Sequence, residues 1–169
     1  MNIILSGFMG SGKTTVSKIL SDKLSMDFID LDELITEQNN MSVSEIFEKF
    51  GEKTFREFEN NAVKSMCDKQ NIIIATGGGT LLNADNSALL KKIGTVVFLD
   101  VSVDTVIRRL ENDTTRPLLQ SKNKKNAIEE MLMGRMPIYR AAADVVVDAN
   151  NDDPSITADE IIVKLNLDK

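Results

Sequence analysis

The sequence contains no histidine and only one cysteine, Cys67. Without histidine, the chain cannot form a histidine-based catalytic triad, most zinc sites or the commonest general base. A single cysteine also excludes an internal disulfide and a cysteine-ligated metal cluster. The only apolar start, residues 3–5, is soon followed by glycine and lysine. A membrane span needs about 20 apolar residues, so we expect no signal peptide, no membrane partner and a cytoplasmic protein.

Positive charge is also scarce, because the chain has 20 lysines and arginines but 26 acidic residues, which gives a net charge of −6. Nucleic acids and anionic membranes select basic surfaces, so neither is expected as the main partner. A length of 169 residues fits one domain, and a hydrophobic content of 42% can build one sizeable core. We therefore expect a single domain over residues 1–169 that acts as a monomer.

Short apolar runs alternate with stretches of helical periodicity along the chain. The predicted strands are residues 2–6, 28–30, 72–76, 95–100 and 144–148. The predicted helices are residues 14–25, 42–50, 54–69, 84–92, 103–111, 126–140 and 157–167. This alternation predicts βαβ units, and hence a mostly parallel sheet with helices on both faces. Residues 112–126 interrupt the pattern and are either a disordered connection or a lid that covers a substrate.

Residues 7–14 read G-F-M-G-S-G-K-T and match the phosphate-binding motif G-x-x-x-x-G-K-[ST]. An apolar strand precedes the motif and an amphipathic helix follows it, which is the context that the motif requires. The glycines let backbone N–H groups converge on phosphate oxygens, and the helix N-terminus adds partial positive charge. Lys13 would reach the β- and γ-phosphates, while the Thr14 hydroxyl would bind Mg²⁺. The motif predicts binding of a nucleoside triphosphate.

Two aspartates follow the second predicted strand, and they indicate what kind of P-loop protein this is. The N-K-x-D and D-x-x-G motifs of regulatory GTPases do not occur, and the length suits a small-molecule kinase. We predict that Asp30 and Asp32 lie on one side of the strand, at the carboxyl edge of the sheet. One could hold Mg²⁺ through water and the other could accept a proton from a substrate hydroxyl. Alternatively, Asp32 only caps a helix that starts at Glu33, and Asp100 competes for the metal.

Glycines and arginines supply the remaining candidates. Gly77–Gly79 follow the third predicted strand and permit positive φ and close approach of the backbone to a ligand. Arg56, Arg116 and Arg135 carry planar forks that suit carboxylates and phosphates, although an exposed arginine can also be merely a solvated charge.

Together these motifs resemble the shikimate kinase family, in order and over nearly the whole chain. The resemblance rests on residues 7–14, F-I-D-L-D at 28–32, G-E at 51–52, F-R-E-F-E at 55–59, the triple glycine, R-P-L-L at 116–119 and R-x-P-x-Y at 135–139. It implies a three-layer, doubly wound, five-stranded parallel sheet of order 2-3-1-4-5, of the P-loop nucleoside-monophosphate-kinase type. It also implies substrate-binding helices at about 31–60, a mobile lid at about 112–126, and phosphorylation of the 3-hydroxyl of shikimate by ATP with Mg²⁺.

The resemblance also implies residue roles. Asp32, Lys13 and Arg116 would be catalytic, with Arg116 reaching from the lid over the phosphates. Thr14 would ligate Mg²⁺ directly and Asp30 would support it through water. The nucleotide-binding set is Gly10, Ser11, Gly12, Lys13, Thr14, Thr15, Arg109, Arg116 and Pro154, and the substrate-binding set is Asp32, Arg56, Glu59, Gly78, Gly79 and Arg135. Within the second set, Arg56 and Arg135 would clamp the shikimate carboxylate and Glu59 would hold Arg56.

Other functions remain open on the sequence. Another small hydroxyl-compound kinase, such as a gluconate kinase, would use the same P-loop, whereas an adenylate-kinase-like enzyme fits the paired arginines less well. A non-catalytic nucleotide-binding module is a third possibility, against which intact Lys13, Thr14, Asp32 and Arg116 argue. The acidic loop at 148–153 is expected to weaken ATP binding.

Overall fold

A computed structural model of the chain describes residues 1–113 and 123–167. Its strands are β1 (Ile3–Ser6), β2 (Asp27–Asp30), β3 (Ile72–Ala75), β4 (Thr95–Asp100) and β5 (Val145–Asp148). Its helices are α1 (Lys13–Leu24), α2 (Leu31–Asn39), α3 (Val43–Lys64), α4 (Ala84–Ile93), α5 (Val103–Arg109), α6 (Lys124–Ala142) and α7 (Pro154–Lys164), and a 3₁₀ turn spans Thr80–Leu82.

The five strands form one parallel sheet in the order β2-β3-β1-β4-β5, which confirms the predicted order. Every residue of β1 and β3 is buried, whereas the edge strands β2 and β5 are partly exposed. In a parallel sheet all carboxyl ends meet at one edge, where α/β proteins bind ligands. The loops after β1, β2 and β3 therefore open onto a shared region.

Helices cover both faces of the sheet, because alternate side chains of the central strand point to opposite sides. Ile3 and Leu5 pack in a core with residues of α1, α5, α6 and α7, whereas Ile4 packs with residues of α2, α3 and α4. All three side chains are fully buried. Truncating such a side chain to alanine costs about 2–5 kcal/mol, so the central strand anchors both layers.

The region between β2 and β3 departs from the helices that periodicity predicts. Helix α2 was absent from the predicted helical set, although the resemblance implied helices there. The predicted helices at 42–50 and 54–69 are instead the two parts of α3, joined at Gly51, whose φ of 80° and ψ of 171° break the helical path. A capping box begins α3, because Ser42 accepts from the Glu45 N–H and Glu45 accepts from the Ser42 N–H.

A lysine of α7 contacts the edge strand β5. Lys164 on α7 donates from Nζ to the Val146 carbonyl at 2.7 Å and pairs with Glu160 at 2.8 Å. An edge strand otherwise presents open carbonyls to other chains, and lysine is a common means of protecting it. None of the helices within residues 1–113 and 123–167 combines the length and apolarity of a membrane span.

Candidate active site

The P-loop connects β1 to α1 in a form suited to anions. Gly12 is the N-cap of α1 at φ 90°, supplies no side-chain cap, and precedes a first turn without acidic residues. The N–H groups and positive end of the helix dipole therefore face the loop without a competing carboxylate in that turn. Lys13 folds over the same loop, where its Nζ donates to the carbonyls of Gly7 at 2.8 Å and Phe8 at 3.0 Å.

Asp30 links the P-loop helix to α2. Its Oδ1 accepts from the N–H groups of Asp32 at 2.9 Å and Glu33 at 3.3 Å, and its Oδ2 accepts from the Thr14 hydroxyl at 2.6 Å. The cap of α2 is therefore Asp30, and the expectation that Asp32 caps a helix from Glu33 is wrong. Asp32 also lies in the first turn of α2 rather than on an extension of β2, so strand alternation does not describe its placement.

The Thr14 hydroxyl and the Asp30 carboxylate are hard oxygen donors of the kind that Mg²⁺ prefers. Mg²⁺ is commonly held by one or two carboxylates together with substrate phosphates, rather than by a complete protein cage. In keeping with this, the part of the chain that the structure describes has no cluster of three or more metal-binding side chains. Asp100, the competing metal candidate, instead pairs with Arg140 at 2.7 Å.

Arg109 ties the P-loop to the loop after β5. Its Nη1 donates to the Gly10 carbonyl at 3.1 Å, while Nη2 donates to the carbonyls of Ala149 at 2.8 Å and Asn151 at 2.7 Å. Partial burial, with help from the neighbouring Arg108 charge, lowers the pKa of Arg109 from its usual value. Beside it lies a cleft of about 250 Å³, lined by Ser11, Gly12, Thr15, Val16, Arg109, Ala149, Asn151, Asp152, Pro154 and Thr157.

The acidic residues of the 148–153 loop are engaged within the protein. Asp152 pairs with Arg108 at 2.7 Å, and Asp153 caps α7 by accepting from the Ser155 N–H at 2.9 Å. Asp148 accepts from the Asn150 N–H at 2.8 Å. Of these contacts, the pair with Arg108 brings a positive charge to the loop, and weaker ATP binding there stays a prediction.

The triple-glycine turn after β3 brings the substrate-side residues together. A Cβ placed on Gly77 would lie 2.7 Å from Asp32 Oδ1, and one on Gly79 would lie 2.5 Å from Arg56 Nη1. One on Gly78 would lie 3.8 Å from Arg135 Nη1 and 3.6 Å from the Met9 backbone nitrogen in the P-loop. None of the three glycines uses the positive φ that glycine permits, and the close approach of neighbouring side chains is the reason for glycine here. Side chains from α2, α3 and α6 thus converge on one turn.

The buried carboxylate of Glu59 holds the Arg56 side chain in place. Its Nη1 donates to Glu59 Oε2 at 2.9 Å, and the other oxygen of Glu59 accepts from the Thr80 hydroxyl at 2.7 Å. Glu59 is only 1% exposed, whereas the second partner of Arg56, Glu52, is 70% exposed at 3.4 Å. The arginine therefore has one strong internal anchor and retains N–H groups for an external carboxylate.

Arg135 lies on α6, above the P-loop residue Phe8. Its guanidinium carbon is 5.8 Å from the centre of the Phe8 ring, and its Nη1 is 3.5 Å from the Gly78 carbonyl. The same carbonyl accepts a hydrogen bond from the Tyr139 hydroxyl. Arg135 is therefore placed where the P-loop and the glycine turn meet.

Comparison with known proteins identifies the family that has this arrangement. The family model described as shikimate kinase matches residues 9–166. The chain belongs to the shikimate kinase family. A shikimate kinase from Sulfurihydrogenibium is 44% identical over 164 residues, which cover 97% of each chain. One from Thermodesulfovibrio yellowstonii is 44% identical over 161 residues, which cover 95% of this chain and 92% of the relative.

Solved structures of shikimate kinases also share the fold. The Acinetobacter baumannii enzyme in complex with shikimate has a TM-score of 0.92 and 36% identity, and the match covers 98% of this chain and 92% of that one. The Aquifex aeolicus enzyme has a TM-score of 0.86 at 35% identity, covering 98% and 96%. A deoxyadenosine kinase from M. mycoides, at 18% identity and a TM-score of 0.65, shares the fold alone.

All but one of the predicted shikimate kinase site residues lie around the P-loop and the glycine turn described above, and the structure does not describe the remaining one. Arg116 and most of the predicted lid fall within residues 114–122, outside the described part of the chain. Thr80 and Phe8 contact predicted site residues but were not predicted themselves. The position of Thr80 directly after the triple glycine was an available signal, whereas nothing local in the sequence marks the contact between Phe8 and Arg135.

Proposed function

We propose that this protein transfers the γ-phosphoryl group of ATP to the 3-hydroxyl of shikimate, giving ADP and shikimate 3-phosphate. As a kinase of this type it serves the shikimate pathway to chorismate and aromatic amino acids. The observation that carries the proposal is the turn at 77–79, which contacts Asp32, Arg56 and Arg135 and borders the P-loop at Met9. The acceptor site thereby lies next to the phosphate-binding loop, as a direct transfer requires.

The substrate side suits an acid that carries several hydroxyl groups. Arg56 and Arg135 bind the carboxylate, and the backbone of Gly78 and Gly79 lets the ring approach closely. Asp32 binds the ring hydroxyls and accepts the proton of the 3-hydroxyl as that oxygen attacks the γ-phosphorus. Phosphoryl transfer depends mainly on alignment and on stabilisation of charge, so this small set is sufficient for the acceptor.

The nucleotide side holds the phosphates and the base in separate places. Backbone N–H groups of residues 10–15 bind the phosphates, and Lys13 stabilises the charge of the transferring group. Thr14 and, through water, Asp30 would hold Mg²⁺, which would supply positive charge to neutralise the phosphate oxygens. The adenine lies in the cleft beside Arg109 and Pro154, where the guanidinium already joins the loops on both sides.

The proposal also includes Arg116 and a lid over about residues 112–126. The R-P-L-L motif is the support for both. The arginine stabilises charge on the transferring phosphoryl group once both substrates are bound. The chain acts as one domain and as a monomer on two small anions. Size-exclusion chromatography with light scattering tests the monomer, and a dimeric mass at micromolar concentration would contradict it.

The function is tested by release of ADP from Mg-ATP in a coupled assay, with shikimate, gluconate and AMP as alternative acceptors. We expect turnover with shikimate and none above background with the other two. Preferred turnover with gluconate would support the alternative of another hydroxyl-compound kinase. Nucleotide binding without turnover on any acceptor would support a non-catalytic module.

A further inference from the structure

Tyr139 is a buried polar residue to which the proposed reaction assigns no role. It lies four residues after Arg135 on α6, so the two side chains share a helix face. Only 1% of Tyr139 is exposed, and its hydroxyl donates to the Gly78 carbonyl. The phenol therefore joins the helix that carries Arg135 to the glycine turn that lies against the P-loop.

The tyrosine ring is itself fixed by packing. Its centroid lies 5.3 Å from that of Phe98 on the central part of the sheet, with the two planes inclined by 26°. Pro137 lies between Arg135 and Tyr139, and proline removes one backbone hydrogen bond from the helix at that point. A contact outside the helix is therefore useful for holding this segment against the turn.

The hydroxyl is suited to remain a hydrogen-bond donor. Burial raises the pKa of Tyr139 above its usual value, against the opposing effect of the Arg135 and Arg56 charges. The Gly78 carbonyl thus keeps a neutral O–H donor at physiological pH. Arg135 Nη1 lies at the long distance of 3.5 Å from the same carbonyl, so that contact is weak, and Arg135 also lies close enough to the phenol to lower its pKa.

We propose that Tyr139 is a positioning residue that holds the Gly78 carbonyl and thereby keeps Arg135 directed at the substrate carboxylate. Without the phenol hydroxyl, the half-buried Gly78 carbonyl has Arg135 as its remaining donor among the described residues, and an unsatisfied carbonyl is costly. Arg135 then moves toward Gly78 and binds the carboxylate less well. The inference rests on the proposed function, because it takes the carboxylate of shikimate as the ligand of Arg135.

The first test is Tyr139→Phe, which keeps the ring and its stacking on Phe98. We expect the KM for shikimate to rise about tenfold, while kcat and the KM for ATP each change less than about threefold. The matched control is Phe98→Leu, which loosens the packing of the same ring without removing the hydroxyl. It should lower the Tm more than Tyr139→Phe does, and should not raise the KM for shikimate selectively.

Two results would overturn the inference. One is unchanged kinetics in Tyr139→Phe. The other is a rise in the KM values for both shikimate and ATP that is larger in whichever variant, Tyr139→Phe or Phe98→Leu, loses more Tm. Because wild-type turnover on shikimate is measured in the same series, failure of the proposed function is recognised separately. In that case no variant, including the wild type, would phosphorylate shikimate.

A second measurement uses the wild-type chain. The sequence has one tyrosine and no tryptophan, so its intrinsic tyrosine fluorescence comes from Tyr139 alone. We expect shikimate to change this emission with the same midpoint as binding measured by calorimetry, because the carboxylate neutralises the charge beside the phenol. Emission that does not change at saturating shikimate would contradict a link between Tyr139 and the carboxylate site.

Discussion

At the scale of single residues, Glu59 shows how a buried charge can serve a binding site. Both of its carboxylate oxygens are used inside the protein, one by Arg56 and the other by Thr80. A buried carboxylate with both oxygens bonded is held in one orientation, and it holds its partners in turn. The position of Arg56 therefore depends on a residue that no substrate needs to touch.

Glu59→Gln should weaken shikimate binding and the fold together. A neutral glutamine can still accept from Arg56 through its oxygen and can donate to a Thr80 hydroxyl turned to accept, but the buried ion pair with Arg56 becomes a weaker neutral–charged hydrogen bond, at a cost of about 1–3 kcal/mol. We expect a lower Tm in calorimetry and a KM for shikimate raised about tenfold, with the KM for ATP unchanged. The control Glu52→Gln removes the exposed partner of Arg56 and should cost less than about 1 kcal/mol. Equal effects of the two variants would contradict this account.

Asp32→Asn should affect turnover far more than binding. The amide can still hydrogen-bond to substrate hydroxyls but cannot accept a proton, and positioned bases typically contribute about 10²–10⁴-fold to the rate. We expect kcat to fall by about that factor, while the dissociation constant of shikimate from calorimetry changes only a few-fold. Parallel losses in kcat and affinity would make Asp32 a binding group only.

At the scale of elements, one aspartate in the short connection from β2 into α2 has two functions. Asp30 caps α2, and it is also the carboxylate proposed to support Mg²⁺ beside Thr14. Sequence periodicity did not predict α2, because its nine residues contain only three large apolar side chains. The D-x-D motif was recognised, but its two carboxylates could not be told apart from the sequence. Which oxygen caps the helix depends on the point at which the chain leaves the strand, and sequence alone fixes such boundaries poorly.

Asp30→Asn and Asp30→Ala should separate the two functions. Asparagine is also a good N-cap, so Asp30→Asn should keep the Tm close to wild type but require more Mg²⁺ for half-maximal activity. Asp30→Ala should lose the cap as well, which costs about 1 kcal/mol of stability. Asp100→Asn is the control, because that carboxylate pairs with Arg140. A larger Mg²⁺ shift in the Asp100 variant would reverse the metal assignment.

At the scale of the whole molecule, the sheet was predictable and the long-range contacts of the site were not. Four of the five strands are nearly continuous runs of apolar residues and β2 has the pair Phe28-Ile29, so all five were found, and the family resemblance supplied their order. The contact of Tyr139 with Gly78 joins residues 61 positions apart, and that of Thr80 with Glu59 joins residues 21 apart. No local pattern encodes such pairs, since they exist only after the helices have packed on the sheet.

The absence of histidine should give the protein an unusually flat stability profile near neutral pH. No side chain has an ordinary pKa between about 5 and 8, so the Tm should stay constant over that range. Calorimetry over this range tests the expectation. A step in Tm near pH 6.5, the ordinary value for histidine, would contradict it.

On the acid side, stability should decrease. The Ser42 backbone N–H lowers the pKa of Glu45, the Asn150 N–H lowers that of Asp148, and the Ser155 hydroxyl lowers that of Asp153. A lowered pKa in the folded state means that stability is present above the ordinary values of 4.5 and 3.8, and is lost as the pH falls through the folded values. Asp153→Asn keeps the cap of α7 without titrating, so its Tm should fall less between pH 5 and pH 3 (about the range of the ordinary carboxyl values). An identical fall in the variant and the wild type would contradict the contribution of Asp153.

The ammonium group of Lys164 attaches the last turn of α7 to the edge strand β5 through the Val146 carbonyl. Three successive valines form this edge, and an uncovered edge of that kind can template strand addition from another molecule. Acetylation of the lysine would remove the charge and weaken its hold on both Val146 and Glu160. The chemical state of a single amine thus affects how firmly the last turn of α7 is attached to the edge strand.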